Sequence, residues 1–89
     1  MPYIDQDTRT DIGIEIKDLT TVLRSVPEEK RWGAINYCIC MLLSDLVPHN
    51  YVGFQSALGL LEAVKHEFYR CVVAPYEENK SEENGNIEW

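Results

Sequence analysis

The segment between Pro27 and Pro48 constrains the fold most, because its apolar side chains surround a helix instead of lining one side of it. The run WGAINYCICMLLSDLV places six apolar residues on one broad face, namely Trp32, Ile35, Ile39, Leu42, Leu43 and Leu46. On the other side, Tyr37, Cys38 and Met41 are apolar as well. A helix that is apolar on every side should be buried on every side. Two neighbouring helices in a chain of 89 residues cannot provide that cover, so we expect another copy of the chain to supply it.

The first segment, residues 7–26, has two conflicting patterns. Its apolar residues recur at the spacing of one helix face, at Ile12, Ile16, Leu19, Leu23 and Val26. The run DIGIEIK inside it also alternates apolar and polar residues, as a strand does. We favour a helix, and residues 11–17 stay open between helix and strand.

The second and third helices have recognisable starts. Pro27 suits a first turn, and Glu28 and Glu29 then lie at the positive end of the helix dipole. Asn50 is expected to cap the third helix. The apolar stripe of that helix consists of Phe54, Ala57, Leu58, Leu61, Val64, Phe68, Cys71 and Val72.

Small residues and a proline distinguish the two ends of the third helix. Gly53, Ser56 and Gly59 would let another helix approach closely. Pro75 removes one backbone donor and should kink or end the helix. The segment PYEENKSEENG that follows has good helix formers, so Pro75 is alternatively the start of a further helical piece that stops at Gly85.

Together these patterns predict an all-α protein. We expect a three-helix antiparallel bundle with a Pro75-kinked C-terminal extension, assembled as a homo-oligomer. Residues 1–76 would form the helical domain and residues 77–89 an acidic C-terminal extension, whose terminal Trp89 is a candidate for docking on a neighbouring subunit.

Composition narrows the possible partners. The formal net charge of −7 argues against binding of extended DNA or RNA, which needs a basic face. The N-terminal run MPYIDQDTRTD has no apolar signal segment, and no apolar run reaches membrane-spanning length. The three cysteines include no CxxC pair, and no Cys/His spacing matches a zinc site. We therefore predict a cytoplasmic protein without membrane contact, metal or cofactor.

A cluster of cations and aromatic rings near the end of the third helix is the candidate ligand site. Lys65, Tyr69 and Arg70 lie within about two helical turns, and Tyr76 and Lys80 follow beyond the proline. The planar fork of arginine suits a phosphate, and tyrosine offers a stacking face for a base. Binding by such a cluster depends on the local field, so an acidic net charge does not exclude it.

Asn36 and Tyr37 complete the candidate site. If the second helix is buried, their amide and phenol need hydrogen-bond partners. Repeated by symmetry across a dimer interface, the seven residues would line a small pocket for an anionic nucleotide. For each residue alone, ordinary packing or capping is the competing interpretation.

No sequence motif indicates catalysis. Walker, GxGxxG, HExxH, EF-hand and nucleophile-elbow patterns do not occur. Glu62, His66 and Arg70 follow an i, i+4, i+8 spacing, which is an ion-pair ladder on a solvated face or a polar site at an oligomer seam. An enzyme acting on a small nucleotide, with Glu67 or His66 as base, is a third hypothesis that we do not favour.

The run from NYCICMLL to EFYRCVVAPYEENKSEENG resembles a family of short, mostly phage and bacterial helical proteins with the pattern NYxI…EFYRR…PYE…ENGD. The positions that match the pattern are Asn36, Tyr37, Leu61, Glu62, Lys65, Glu67, Phe68, Tyr69, Arg70, Pro75, Tyr76, Glu77, Lys80, Glu83, Asn84 and Gly85. Cys71 replaces the second arginine, and Asn86 replaces the final aspartate. If that arginine contacts an anionic ligand in the family, this chain binds such a ligand differently.

The resembled family is functionally obscure, and only a looser analogy of size and origin suggests a role. Small phage proteins of this type include sponges that sequester the nucleotide signals of bacterial immunity. We therefore expect a phage-type anti-defence protein that sequesters a cyclic nucleotide or an ADP-ribose type signal between subunits, without catalysis, in the host cytoplasm if a phage encodes it. The alternative is a protein-interaction module, an adaptor or inhibitor of a host protein.

Overall fold

The computed structural model describes residues 3–88, and every regular element in that range is helical. The elements are α1 (Gln6–Ser25), α2 (Glu28–Leu46), α3 (Tyr51–Phe68), a π-helical turn (Tyr69–Val73) and α4 (Ala74–Asn84). We call the five-residue turn the π-turn. Since α3, the π-turn and α4 follow one another without a gap, the three predicted helices are present. No strand occurs among residues 3–88, so the all-α prediction is confirmed.

Helix α1 includes the run DIGIEIK, which settles the open choice between helix and strand. Asp5 caps the helix, because its Oδ1 accepts a hydrogen bond from the Thr8 backbone N–H at 2.8 Å. This bond holds the pKa of the Asp5 carboxyl below its ordinary value. The stabilising effect of the cap is therefore present above that ordinary value and is lost as the pH falls through the lowered pKa.

The turn between α1 and α2 is held by one side chain. Arg31 Nη2 donates hydrogen bonds to the carbonyl oxygens of Arg24 and Val26, each at 3.1 Å. These carbonyls lie at the C-terminal end of α1, where intrahelical partners run out. Pro27 occupies the N-cap position of α2, one residue before the predicted first turn, and Glu28 and Glu29 form that turn as expected.

Replacing Arg31 by alanine is expected to lower the free energy of unfolding by about 2 kcal/mol, because two hydrogen bonds from a charged donor are lost. Urea denaturation followed by circular dichroism at fixed protein concentration would measure the change. The exposed neighbour Lys30 provides a control of equal charge, and Lys30→Ala should change stability by no more than about 0.5 kcal/mol. Equal losses in the two variants would show that Arg31 does not hold the turn.

The turn between α2 and α3 requires a glycine. Asn50 Oδ1 accepts the Gly53 N–H at 2.7 Å, which agrees with the predicted cap. A Cβ on Gly53 would lie 2.1 Å from the Pro48 carbonyl oxygen, a distance that no side chain tolerates. Gly53 is also the one buried residue among residues 3–88. Its small size therefore serves the turn of its own chain, and the close approach of another helix at Gly53, Ser56 and Gly59 stays a prediction.

The described chain divides into two compact units, residues 3–54 and 55–88. In the first unit α1 contacts α2, and Leu23 and Ile35 are half-buried. Among residues 3–88, no hydrophobic side chain is buried, and Trp32 is 80% exposed. The second unit is one helical run that has no second element of its own to pack against. The domain boundary predicted at residue 76, the bundle packing and the homo-oligomer stay predictions.

The helix continues through Pro75, and the further helical piece that we considered beyond it is present as α4. Gly85 ends α4 with a φ of 85°, and its N–H donates to the Ser81 carbonyl oxygen at 2.9 Å. A positive φ at the residue that ends a helix favours glycine, since it has no Cβ. The predicted docking of Trp89 lies outside the described residues.

Candidate functional site

The two candidate residues on α2 are exposed. We expected Asn36 and Tyr37 to be buried with polar groups in need of partners, but the Tyr37 side chain is 64% exposed. Asn36 Oδ1 accepts a hydrogen bond from the Cys40 thiol at 3.2 Å, one turn along the same helix. Because both polar groups are exposed to water, neither needs a hydrogen-bond partner from the protein.

Near the end of α3, Glu62 contacts two neighbouring side chains. Its Oε1 lies 3.6 Å from Lys65 Nζ and 3.1 Å from His66 Nε2. Of the predicted ladder of Glu62, His66 and Arg70, the contact between Glu62 and His66 is therefore present. All these side chains are largely exposed, and the contacts are those of a solvated helix face.

The π-turn carries Arg70, whose Nη2 donates to Glu67 Oε1 in a close ion pair. The same carboxylate oxygen lies 3.6 Å from Cys71 Sγ. The Glu67 side chain is only 25% exposed, while the Arg70 side chain is 66% exposed. The Arg70 guanidinium is thus exposed to solvent, and the less exposed Glu67 carboxylate partly neutralises its charge.

Tyr69, also in the π-turn, is held by a residue of α4. Its hydroxyl donates to Glu77 Oε1 at 2.8 Å. This hydrogen bond and the charge of the Glu77 carboxylate raise the pKa of Tyr69 above its ordinary value. The phenol is therefore protonated at neutral pH and fixed in direction, although it remains exposed.

On α4 the structure brings together two of the predicted residues. The Lys80 ammonium lies 5.6 Å from the centre of the Tyr76 ring, within cation–π range. Lys80 Nζ also contacts Glu83 Oε2 at 3.2 Å. One exposed surface of α4 thus combines an aromatic face with a cation.

Carboxylates are the part of the site that the predicted set lacked. Lys65, Arg70 and Lys80 each pair with a glutamate three positions away on the same helix. That i, i+3 spacing is visible in the sequence and was a usable signal. The pairing of Tyr69 with Glu77 is eight positions apart and has no such signal, because it depends on the π-turn.

The seven candidate residues are distributed over the two units. Asn36 and Tyr37 belong to the first unit, and the other five belong to the second. Their convergence in one pocket stays a prediction. In the described part of the chain no group of three His, Cys, Asp or Glu side chains is arranged to hold a metal ion. No helix within residues 3–88 is long and apolar enough to cross a membrane.

Comparison with known proteins places the chain in one family. The family model described as "Domain of unknown function (DUF6899)" matches residues 1–87, and the chain therefore belongs to that family. No curated protein and no solved structure matches the chain. An obscure family is what the resemblance in the sequence predicted.

Proposed function

We propose that this member of the DUF6899 family is a non-catalytic binding protein that assembles from copies of itself and holds a small anionic nucleotide between subunits. The ligand class is a cyclic nucleotide or an ADP-ribose type immune signal. Sequestration of such a signal in the host cytoplasm would make the protein a phage-type anti-defence factor. No cofactor, membrane or extended nucleic acid takes part.

The exposed run of cations and aromatic rings at residues 65–80 is the observation that carries the ligand proposal. Arg70 offers a planar donor fork for phosphate oxygens, and the Tyr76 ring beside Lys80 offers a stacking face next to a charge. Each of these groups is on a helix, so their positions relative to the helix axis are restricted before a ligand arrives. Pre-positioned groups reduce the ordering cost of binding.

The carboxylate partners set the cost of binding an anion. A phosphate has to displace or share the glutamates that contact Lys65, Arg70 and Lys80. Exposed ion pairs of this kind contribute about 0–1 kcal/mol each, so a multivalent anion is able to replace them. Affinity should therefore fall with added salt, because both the ligand and the competing carboxylates act through charge.

Self-association is supported by the helix of the second unit. Its apolar residues Leu58, Val64 and Phe68 are each more than half exposed, and Leu61 is 37% exposed. A lone amphipathic helix in water has little stability without tertiary packing. A second copy of the chain would cover this stripe and would bring two sets of candidate ligand residues to one seam.

A thermal-shift panel of cyclic dinucleotides, cyclic mononucleotides and ADP-ribose tests the ligand proposal. One member is expected to raise the unfolding midpoint, and at 100 times its dissociation constant it should add about 2.7 kcal/mol of stability. Arg70→Ala should weaken that ligand by about 10- to 100-fold, since hydrogen bonds to charged groups contribute about 1.5–3 kcal/mol.

Arg9→Ala is the matched control, because it removes the same charge from the exposed surface of α1. It should leave the affinity within a factor of about two. The nucleotide proposal is wrong if no member of the panel shifts the midpoint, or if Arg9→Ala weakens binding as much as Arg70→Ala.

A protein-interaction module is the second candidate function, and the paired state of the cations favours it. All three candidate cations already contact glutamates, whereas large apolar side chains such as Trp32 and Leu46 are 80% and 71% exposed. Exposed aromatic anchors are typical of protein interfaces. On this hypothesis no nucleotide in the panel raises the unfolding midpoint. Such a result would not contradict self-association, which is tested separately by the mass of Leu61→Glu.

A further inference from the structure

The π-turn is the one irregular segment inside the helix that runs from Tyr51 to Asn84. The Ala74 N–H donates to the carbonyl oxygen of Tyr69, five residues earlier, where an α-helix would use Arg70 four residues earlier. The turn therefore holds one more residue than an α-helical turn. Irregularities in a helix have identifiable causes, and proline is one of them.

Pro75 directly follows the π-turn and accounts for it. In an uninterrupted α-helix the ring of Pro75 would collide with the carbonyl of Cys71, and the missing N–H would leave that carbonyl without its partner. An additional residue in the preceding turn shifts this carbonyl away from the ring. The helix can then continue into α4 instead of ending.

The extra residue changes which side chains share a face. In an α-helix, residues seven apart lie within about 20° of each other around the axis, and residues eight apart about 80° apart. With one more residue in the turn, the eight-residue spacing becomes the aligned one. This explains why Tyr69 meets Glu77 at 2.8 Å.

An α-helical register would align a different set. Tyr69 would then lie in line with Tyr76, seven positions away. Within about 60° around the axis, four of the candidate ligand residues would form one stripe. These residues are Lys65, Tyr69, Tyr76 and Lys80. In the observed register, Tyr76 and Lys80 are each rotated about the helix axis by about 100° from the positions that they would have in the α-helical register. They therefore no longer share a face with Tyr69.

We propose that Pro75 is a register-setting residue, which holds the π-turn and keeps Tyr69 against Glu77 and apart from Tyr76 and Lys80. Without the proline ring, the α-helical register becomes accessible and the stripe of cations and rings forms. Pro75 thus restricts this helix to one of two registers. The inference concerns the arrangement of the candidate site and holds whether or not a nucleotide binds there.

Through-hydrogen-bond scalar couplings in the isotope-labelled full chain test the register directly. In the natural sequence the Ala74 amide should couple to the carbonyl carbon of Tyr69. In Pro75→Ala it should couple to the carbonyl carbon of Arg70. Pro27→Ala, which removes a proline at the start of α2, should leave the coupling at Tyr69. A coupling that stays at Tyr69 in Pro75→Ala, or that is at Arg70 in the natural sequence, overturns the proposal.

The titration of Tyr69 provides a second readout, isolated as the absorbance difference between the natural chain and Tyr69→Phe. In the natural chain the midpoint should lie above the ordinary tyrosine value of about 10. Pro75→Ala should return it to that value, because Tyr69 is turned away from Glu77. Glu77→Gln should also lower the midpoint, yet leave the Ala74 coupling at Tyr69. A midpoint still raised in Pro75→Ala would show that the register does not position Tyr69.

Discussion

Gly53→Ala is expected to destabilise the protein by about 3 kcal/mol, at the upper end of the usual cost of overpacking. The new Cβ would lie 2.1 Å from the carbonyl oxygen of Pro48 and 3.0 Å from its carbonyl carbon. Both are backbone atoms, so no flexible side chain can move aside, and the whole α2–α3 turn has to shift. Urea denaturation at fixed protein concentration would measure the loss.

Gly13→Ala is the matched control for this prediction. Gly13 lies inside α1, and a Cβ there meets nothing within 4 Å. Alanine should therefore stabilise the helix by about 0.5–1 kcal/mol, because glycine loses more backbone freedom on folding. If both variants were stabilised, the contact between Gly53 and Pro48 would not constrain the turn.

Leu61→Glu is expected to dissociate the homo-oligomer. Leu61 belongs to the apolar stripe of α3 and is 37% exposed, among the least exposed of the large apolar residues there. At a subunit seam an unpaired carboxylate would cost about 3–5 kcal/mol, which raises the dissociation constant by roughly a hundredfold to a few thousandfold. Light scattering at micromolar protein concentration should find a multiple of 10.3 kDa for the natural chain and a single chain for the variant.

Ala63→Glu separates the position of the charge from its presence. Ala63 is exposed, and two positions along an α-helix place it about 160° from Leu61 measured the shorter way. The variant has the same net charge as Leu61→Glu but keeps the apolar stripe, so its mass should equal that of the natural chain. A single-chain mass for the natural protein, with full helical circular dichroism, would contradict the assembly proposal outright.

Helix positions were largely predictable, because helix starts and stops depend on neighbours in sequence. Asn50 was expected to cap α3 and does so through the Gly53 N–H. Gly85 was expected to stop the last helical piece and adopts the required positive φ. The run DIGIEIK was undecided from its pattern, since alternation and helical spacing coincide over so few residues.

The candidate site was less predictable than the helices. The exposed glutamates beside Lys65, Arg70 and Lys80 follow a local spacing that the sequence displays. The exposure of Asn36 and Tyr37 did not follow, because we assumed that the apolar second helix would be covered. Within a single chain that cover is absent for Tyr37, which is 64% exposed.

By itself the sequence predicted an all-α protein and most helix starts and stops, since caps, prolines and hydrophobic spacing act over a few residues, but it left residues 11–17 and the effect of Pro75 open. Only the three-dimensional structure decided that Gly53 lies against the Pro48 carbonyl, that Arg31 reaches back to α1, and that a π-turn brings Tyr69 to Glu77. Each of these contacts depends on the path of the backbone through a turn. Residue spacing along the chain does not encode that path, because one added residue in a turn rotates everything beyond it.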